Sequence, residues 1–354
     1  MALRLQSFFN IFKSHKSILL VLLLFIISFI ARILSVAHPS HIISDELYYV
    51  TAARSIISTG RDPNLVHPPL GKYFIGLGIL IFGDNSFGWR IIGAFLGSTI
   101  APLAYLIGNK IYNEKVGILS GVFLLLDPLT YAMSCIAMLD IYLAFFITCA
   151  FLAFVYQRYH MSAVLFGLAC SVKFSAVFSI CGVMIYLIYV RKWKLVQWFV
   201  IIPLLVFLIV VLPIMLVEGI GKWLAYTLFY LAWSFGLKTE HPFASRPEGW
   251  LFNIKPFPLY LNTCDLIAVA NPYLYPFAIP TIVCIIYLAI RNRVNFTEML
   301  PVLWFITQYG IFFLLPRTTQ FIFYLLPSVP AILLLIARGI QIVIENLIQK
   351  IVKQ

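Results

Sequence analysis

Apolar residues in this chain come in long unbroken runs, and polar ones gather in the stretches between them. The runs near 18–36, 87–108, 116–135, 140–157, 161–173, 174–190, 195–217, 272–290, 298–315 and 319–337 predict about ten transmembrane helices, within a range of nine to eleven. They are solid rather than alternating, which excludes a β-barrel, whose strands show an apolar residue only at every second position. The stretch 161–190 is long enough for one helix, but a single crossing would carry Arg191, Lys192 and Lys194 to the outer side. Two short helices broken near Lys173 keep that cluster inside, as the positive-inside bias requires. Broken helices are tolerated in a bilayer where they line a cavity. The predicted class is an all-α polytopic membrane protein, with 1–354 read as one transmembrane domain.

Two segments remain outside the runs, 37–86 and 218–271, and both are expected on the external side. Each holds apolar stretches of ten to fourteen residues, too short to cross, so short helices lying along the membrane surface are predicted there. The chemistry is expected in these two loops.

Composition agrees with the pattern. Hydrophobic residues make up 62% of the 354 and charged ones 11%, against roughly half and a quarter in soluble domains. A soluble enzyme, a secreted disulfide scaffold and a disordered chain are excluded. The net charge of +12 is a topology signal and not a nucleic-acid one, because the basic residues sit between apolar runs. Fourteen Lys/Arg (4, 13, 16, 110, 115, 158, 191, 192, 194, 291, 293, 338, 350, 353) and three acids (114, 298, 345) fall inside, which accounts for nearly all of the net charge. Six cysteines (135, 149, 170, 181, 264, 284) form no CxxC pair and read as buried membrane thiols. Lys13, Lys16, the apolar run and Ser35-Val36-Ala37 also fit a signal peptide. Against that, the run is long enough to span, and Arg32 interrupts its end. The sequon Asn295-Phe296-Thr297 falls inside, where it is silent.

Polar residues near the membrane carry the candidate chemistry. Asp45-Glu46 opens a helical pattern with Ser44 as its expected N-cap. Two acids at a helix N-terminus need no function. The functional alternative is a carboxylate base at the membrane surface beside an acid that holds a substrate or metal. His67-Pro68-Pro69-Leu70-Gly71-Lys72 is more specific: the prolines halt a helix and Gly71 permits close approach, aiming His67 and Lys72 at a common point. Lys72, Arg90, Lys173 and Arg317 come to the outer ends of different segments. Each has a snorkelling explanation; together they suggest convergence on an anion, with Asp140 placed to balance one of them.

The order of Asp45-Glu46, HPPLGK (67–72), Arg90, LDIYLAFF (139–146), SVKFSAVF (171–178), HPFASRPEGW (241–250), ANPYLYP (270–276) and PRTTQFIFYLLPSVP (316–330) resembles the protein O-mannosyltransferase family. The likeness runs over about residues 30–337 and is nearest to prokaryotic members, since the 218–271 loop is too short for the large external MIR domain. The resemblance implies the GT-C glycosyltransferase fold, a polyprenyl- or dolichyl-phosphate mannose donor and a protein Ser/Thr acceptor. It also implies a multi-pass location in the cell membrane with the active site on the external face. It makes Asp45 the catalytic base and Glu46 the acid that helps hold the acceptor. Arg90, Lys173, Arg317 and Lys72 are assigned to the donor phosphate, and His67, His241, Arg246 and Asp140 to the lining of the site. Direct displacement would invert the anomeric carbon, and no metal or other cofactor is expected. A lipid or lipid-linked glycan acceptor is the near alternative. A transporter of anionic lipid is a more distant one; it needs no base, and neither inverted repeats nor charges inside most spans favour it.

Overall fold

The computed structural model describes residues 15–261 and 266–352. Arg4, Lys13, Lys353 and Cys264, with the start of the signal-like pattern, lie outside the described residues, as does the Lys350 side chain. The described chain is helical in every apolar run. Helix α1 (His15–Ile33) is followed in the first loop by α2 (Glu46–Thr59) and α3 (Leu70–Phe82), which end on Gly60 and Gly83. Both glycines have positive φ, 72° and 88°, where a side chain would be strained. Next come α4 (Ser86–Ile111), α5 (Glu114–Leu125), α6 (Pro128–Ser134), α7 (Leu139–Val155), α8 (Tyr159–Cys170) and α9 (Ala176–Tyr189). A short turn at Trp193–Val196 leads into α10 (Trp198–Glu218) and α11 (Ile220–Gly236). Two strands, β1 (Phe257–Tyr260) and β2 (Leu266–Ala268), pair antiparallel, and α12 (Ala278–Ile290), α13 (Leu300–Gly310) and α14 (Val329–Val352) complete the order.

Helix α7 is apolar all round and buried along nearly its whole length, which makes it the centre of the bundle. Helices α4 and α8 flank it, with the 3-10 segment Ile322–Ser328 on another side. The first residues of α7 therefore reach one end of the core, and they bring Asp140 there.

All ten apolar runs form helices, but length alone does not make each a crossing. Among the described residues, four helices are long and apolar enough to span, or five when α5 and α6, bent by 53°, count as one. The others are shorter because polar turns interrupt them. Asp127 caps α6 by accepting from the Thr130 amide at 2.8 Å, and Ser171–Ser175 separates α8 from α9. The expected break at Lys173 is thus present.

The two loops differ from expectation in detail. The first carries two helices, but Ser44 does not cap α2: it has a φ of 49°, and Asp45 takes the N-cap position without a side-chain capping bond. The second carries one helix of 17 residues, longer than the apolar stretches suggested, and a β-hairpin that the pattern did not reveal. Pro258 inside β1 hides it, because a proline is admitted only on an edge such as this two-stranded ribbon offers.

Candidate active site

The site is assembled by backbone ties between segments remote in sequence. The Leu70 amide donates to the Ser171 carbonyl at 3.0 Å, so the Pro-Pro turn that stops the chain before α3 sits on the α8–α9 turn, with His67 above Lys173. From the other side, the Thr318 amide donates to Leu237 at 3.0 Å and the Ser245 amide to Gln320 at 2.8 Å. These ties hold the second loop against the Pro316–Gln320 segment that bears Arg317.

Lys173 Nζ donates to both oxygens of Asp140, 2.9 Å each, and both side chains are almost fully buried. Arg317 donates to the Thr319 carbonyl at 2.8 Å and to the Tyr324 hydroxyl at 3.3 Å, and no acid pairs with it among the described residues. Both cations lie against the ring of Tyr324, at 5.3 and 5.4 Å from its centroid, within the range of cation–π attraction. His67, Asp140, Lys173, Arg317 and Tyr324 share a cavity of about 380 Å³, whose remaining wall is largely apolar, with Phe178, Leu231 and Phe235 among its residues.

Asp45 faces this charged end. Its carboxylate accepts no hydrogen bond among the described residues, and its electrostatic neighbours are Lys173, Asp140 and His241. Burial raises its pKa above the ordinary carboxylate value, with Lys173 pulling the other way. His67 is driven well below the usual imidazole range by burial and by Lys173, Lys72 and Arg317, so it is neutral at pH 7. His241 accepts the Phe243 amide on Nδ1 at 3.2 Å, its ring stacked on Phe257 and edge-on to Phe321.

Three assignments require correction. Arg90 does not reach the cavity: its five N–H bonds go to Glu46 (2.6 and 2.8 Å) and to the carbonyls of Val36, Pro39 and His41. Glu46 is spent in the same cluster, accepting also from the Ile43 and Ala137 amides at 3.0 and 2.8 Å, and is fully buried, so it has nothing left for an acceptor. Lys72 uses its ammonium on the Asp62 carboxylate and on the carbonyls of Asn64 (2.6 Å) and His67 (2.8 Å). It fixes the 62–67 turn instead of contacting a ligand. Of four bases expected to converge, Lys173 and Arg317 do. Arg246 lies exposed, at the start of the Pro247–Gly249 turn. Sequence reasoning missed Tyr324, which touches both cations; its only signal was its place in the PRTTQFIFYLLPSVP block.

A carboxylate without a hydrogen-bond partner, near Lys173 at an apolar-walled cavity lined by Lys173 and Arg317, can take a proton while negative charge on a neighbouring group is neutralised. The architecture that carries it is the GT-C fold of a multi-pass membrane protein. The chain superposes on ArnT from Cupriavidus metallidurans, solved with undecaprenyl phosphate bound, with a TM-score of 0.65 and 16% identity over 92% of this chain and 60% of that one. The Archaeoglobus fulgidus oligosaccharyltransferase gives 0.62 and 13% over 96% and 52%. In sequence, residues 66–216 match the family described as Dolichyl-phosphate-mannose-protein mannosyltransferase. The polyprenol-phosphate-mannose–protein mannosyltransferase of Mycobacterium tuberculosis is 37% identical over 123 residues, 33% of this chain and 24% of that protein. Its namesake from Corynebacterium glutamicum is 24% identical over 332 residues, 67% and 64% of the two chains. The chain thus spans from 24% to 64% of the length of these relatives. The resemblance to the protein O-mannosyltransferase family, in its prokaryotic form, therefore holds.

Proposed function

We propose that this protein is an inverting glycosyltransferase that moves mannose, or a similar hexose, from a polyprenyl or dolichyl phosphate to serine and threonine hydroxyls of proteins at the external face of the cell membrane. The observation that carries this reading is the unpaired, half-buried Asp45 carboxylate near Lys173, which shares the cavity lining with Arg317. The acceptor hydroxyl oxygen attacks the anomeric carbon, and Asp45 takes its proton. The bond from that carbon to the phosphate oxygen breaks, and the electron pair leaves with the lipid phosphate, whose added charge Arg317 and Lys173 meet. Attack opposite the leaving group inverts the centre. The apolar wall around Phe178, Leu231 and Phe235 suits a prenyl chain. The reaction so written needs no divalent metal, so its rate should survive EDTA.

The test is transfer from polyprenyl phosphate mannose to a Ser/Thr-rich peptide by purified protein, beside Asp45→Asn. Mannosyl-peptide from the wild type and a loss of at least about a hundredfold in the variant are expected. Undiminished activity in the variant removes Asp45 as base. Transfer to lipid but not to peptide replaces the acceptor and keeps the donor.

A further inference from the structure

The acid in the cavity wall is unexpected in an anion site. Asp140 is 1% exposed, and both its oxygens are held by Lys173. It therefore cancels one of the only two cations in the cavity lining and lowers the attraction for any phosphate. A site built for the tightest possible phosphate grip would omit it.

The reason lies in the charges of the two lipid phosphates, and the argument rests on the donor chemistry proposed above. The loaded carrier is a phosphodiester with one negative charge. The spent carrier is a phosphomonoester with close to two at pH 7, because its second pKa is about 6. Two unopposed cations would bind the spent carrier better than the loaded one, and the enzyme would be held by its own product. Lys173 and Arg317 less Asp140 leave one positive charge in the cavity lining, which suits the diester, and an ionised Asp45 nearby lowers the field further against a dianion.

We propose that Asp140 is a selectivity residue that sets the charge of the cavity to a phosphodiester and against a phosphomonoester, so that spent lipid phosphate leaves after transfer. Asp45 works in the same direction in time. While it holds the acceptor's proton, it is neutral, and the new charge on the phosphate is tolerated. When that proton passes to water, the restored carboxylate repels the dianion. The raised pKa of Asp45 favours holding the proton over the moment of transfer.

The experiment measures the dissociation constants of undecaprenyl phosphate and of its methyl phosphodiester, at pH 8 and pH 5, for the full chain in detergent. Charged or titratable groups around this end of the cavity are Lys173, Arg317, Asp45, His67, His241, Tyr49 and Tyr324 besides Asp140. Their own titration is common to wild type and Asp140→Asn, so the difference between the two proteins' ratios at one pH isolates the charge of Asp140. Wild type should show no preference for the monoester at pH 8. Asp140→Asn should bind the monoester about tenfold more tightly than the diester at pH 8 and lose that preference at pH 5, where both ligands carry one charge. Asp140→Glu should restore the wild-type ratio. An unmoved ratio in Asp140→Asn, with both ligands weakened alike, reduces Asp140 to a structural partner of Lys173 and overturns the proposal. A tenfold monoester preference in wild type at pH 8 overturns it without any variant. Wild type that binds neither lipid phosphate removes the donor reading itself.

Discussion

Asp45 and Glu46 are neighbours in sequence and opposites in environment. Glu46 exchanges two hydrogen bonds with Arg90 and accepts two backbone amides, and removing one side of such a buried pair costs about 3–5 kcal/mol. Asp45 has none of this compensation, so its ionised form is destabilising where it stands. Its folded pKa is raised above the unfolded value, so the native state binds the proton more tightly and stability falls as pH rises between the two values. At neutral pH, Asp45→Asn should therefore raise the thermal midpoint while abolishing transfer, and the gain should vanish in acid below the unfolded pKa. The activity of the wild type should fall on an acid limb lying above the ordinary aspartate value. Thermal melts of both proteins across pH 3–8, beside a pH profile of transfer, check this; a variant that melts lower than wild type at pH 7 contradicts it. The dipeptide was legible as a candidate in the sequence. Which member was free was not, because that depends on Arg90, 44 residues away.

The turns and close helix contacts that hold the site were legible to different degrees. The charge of Arg191, Lys192 and Lys194 forced a break near Lys173, and the structure has it. The four bases looked alike because each ends an apolar segment. Their partners, Asp62 for Lys72 and Glu46 for Arg90, are set by loop geometry that no periodicity encodes. Packing between α4 and α5 rests on small residues that let the backbones approach. A Cβ at Gly117 would stand 2.6 Å from the Tyr105 carbonyl oxygen and 2.8 Å from the Asn109 nitrogen, both backbone atoms that cannot swing away. Gly117→Val should force the two helices apart and cost about 3 kcal/mol, read as a drop in thermal midpoint in detergent. None of the cavity's lining residues lies on α4 or α5, so any protein that remains folded should keep its affinity for lipid phosphate. An unchanged midpoint would mean that α4 and α5 are not in this contact.

At the scale of the whole molecule, the two ends of the bundle are built differently. One end is knitted from loops: 62–72 on the α8–α9 turn, and Leu237 and Ser245 on the Pro316–Gln320 segment. This is the end with Asp45, Lys173 and Arg317. The opposite end is held by charged pairs, Lys16 with Glu114 and Arg338 with Glu298, and it carries the Arg191, Lys192 and Lys194 cluster. Positive residues are generally retained on the cytoplasmic side, so the function proposed above expects the knitted end outside. On that proposal the site and the charge cluster are reachable from opposite sides of the membrane. Glu240 and Lys194 are both exposed, one next to Thr239, whose hydroxyl meets that of Thr319 at 3.3 Å on the knitted end, and one in the cluster. In a cysteine-depleted background, Glu240→Cys should react with a membrane-impermeant maleimide in intact cells. Lys194→Cys should react only after permeabilisation. The reverse pattern would turn the active site toward the cytoplasm, where an acceptor would have to be cytosolic and protein O-mannosylation at the cell surface would no longer be the reaction.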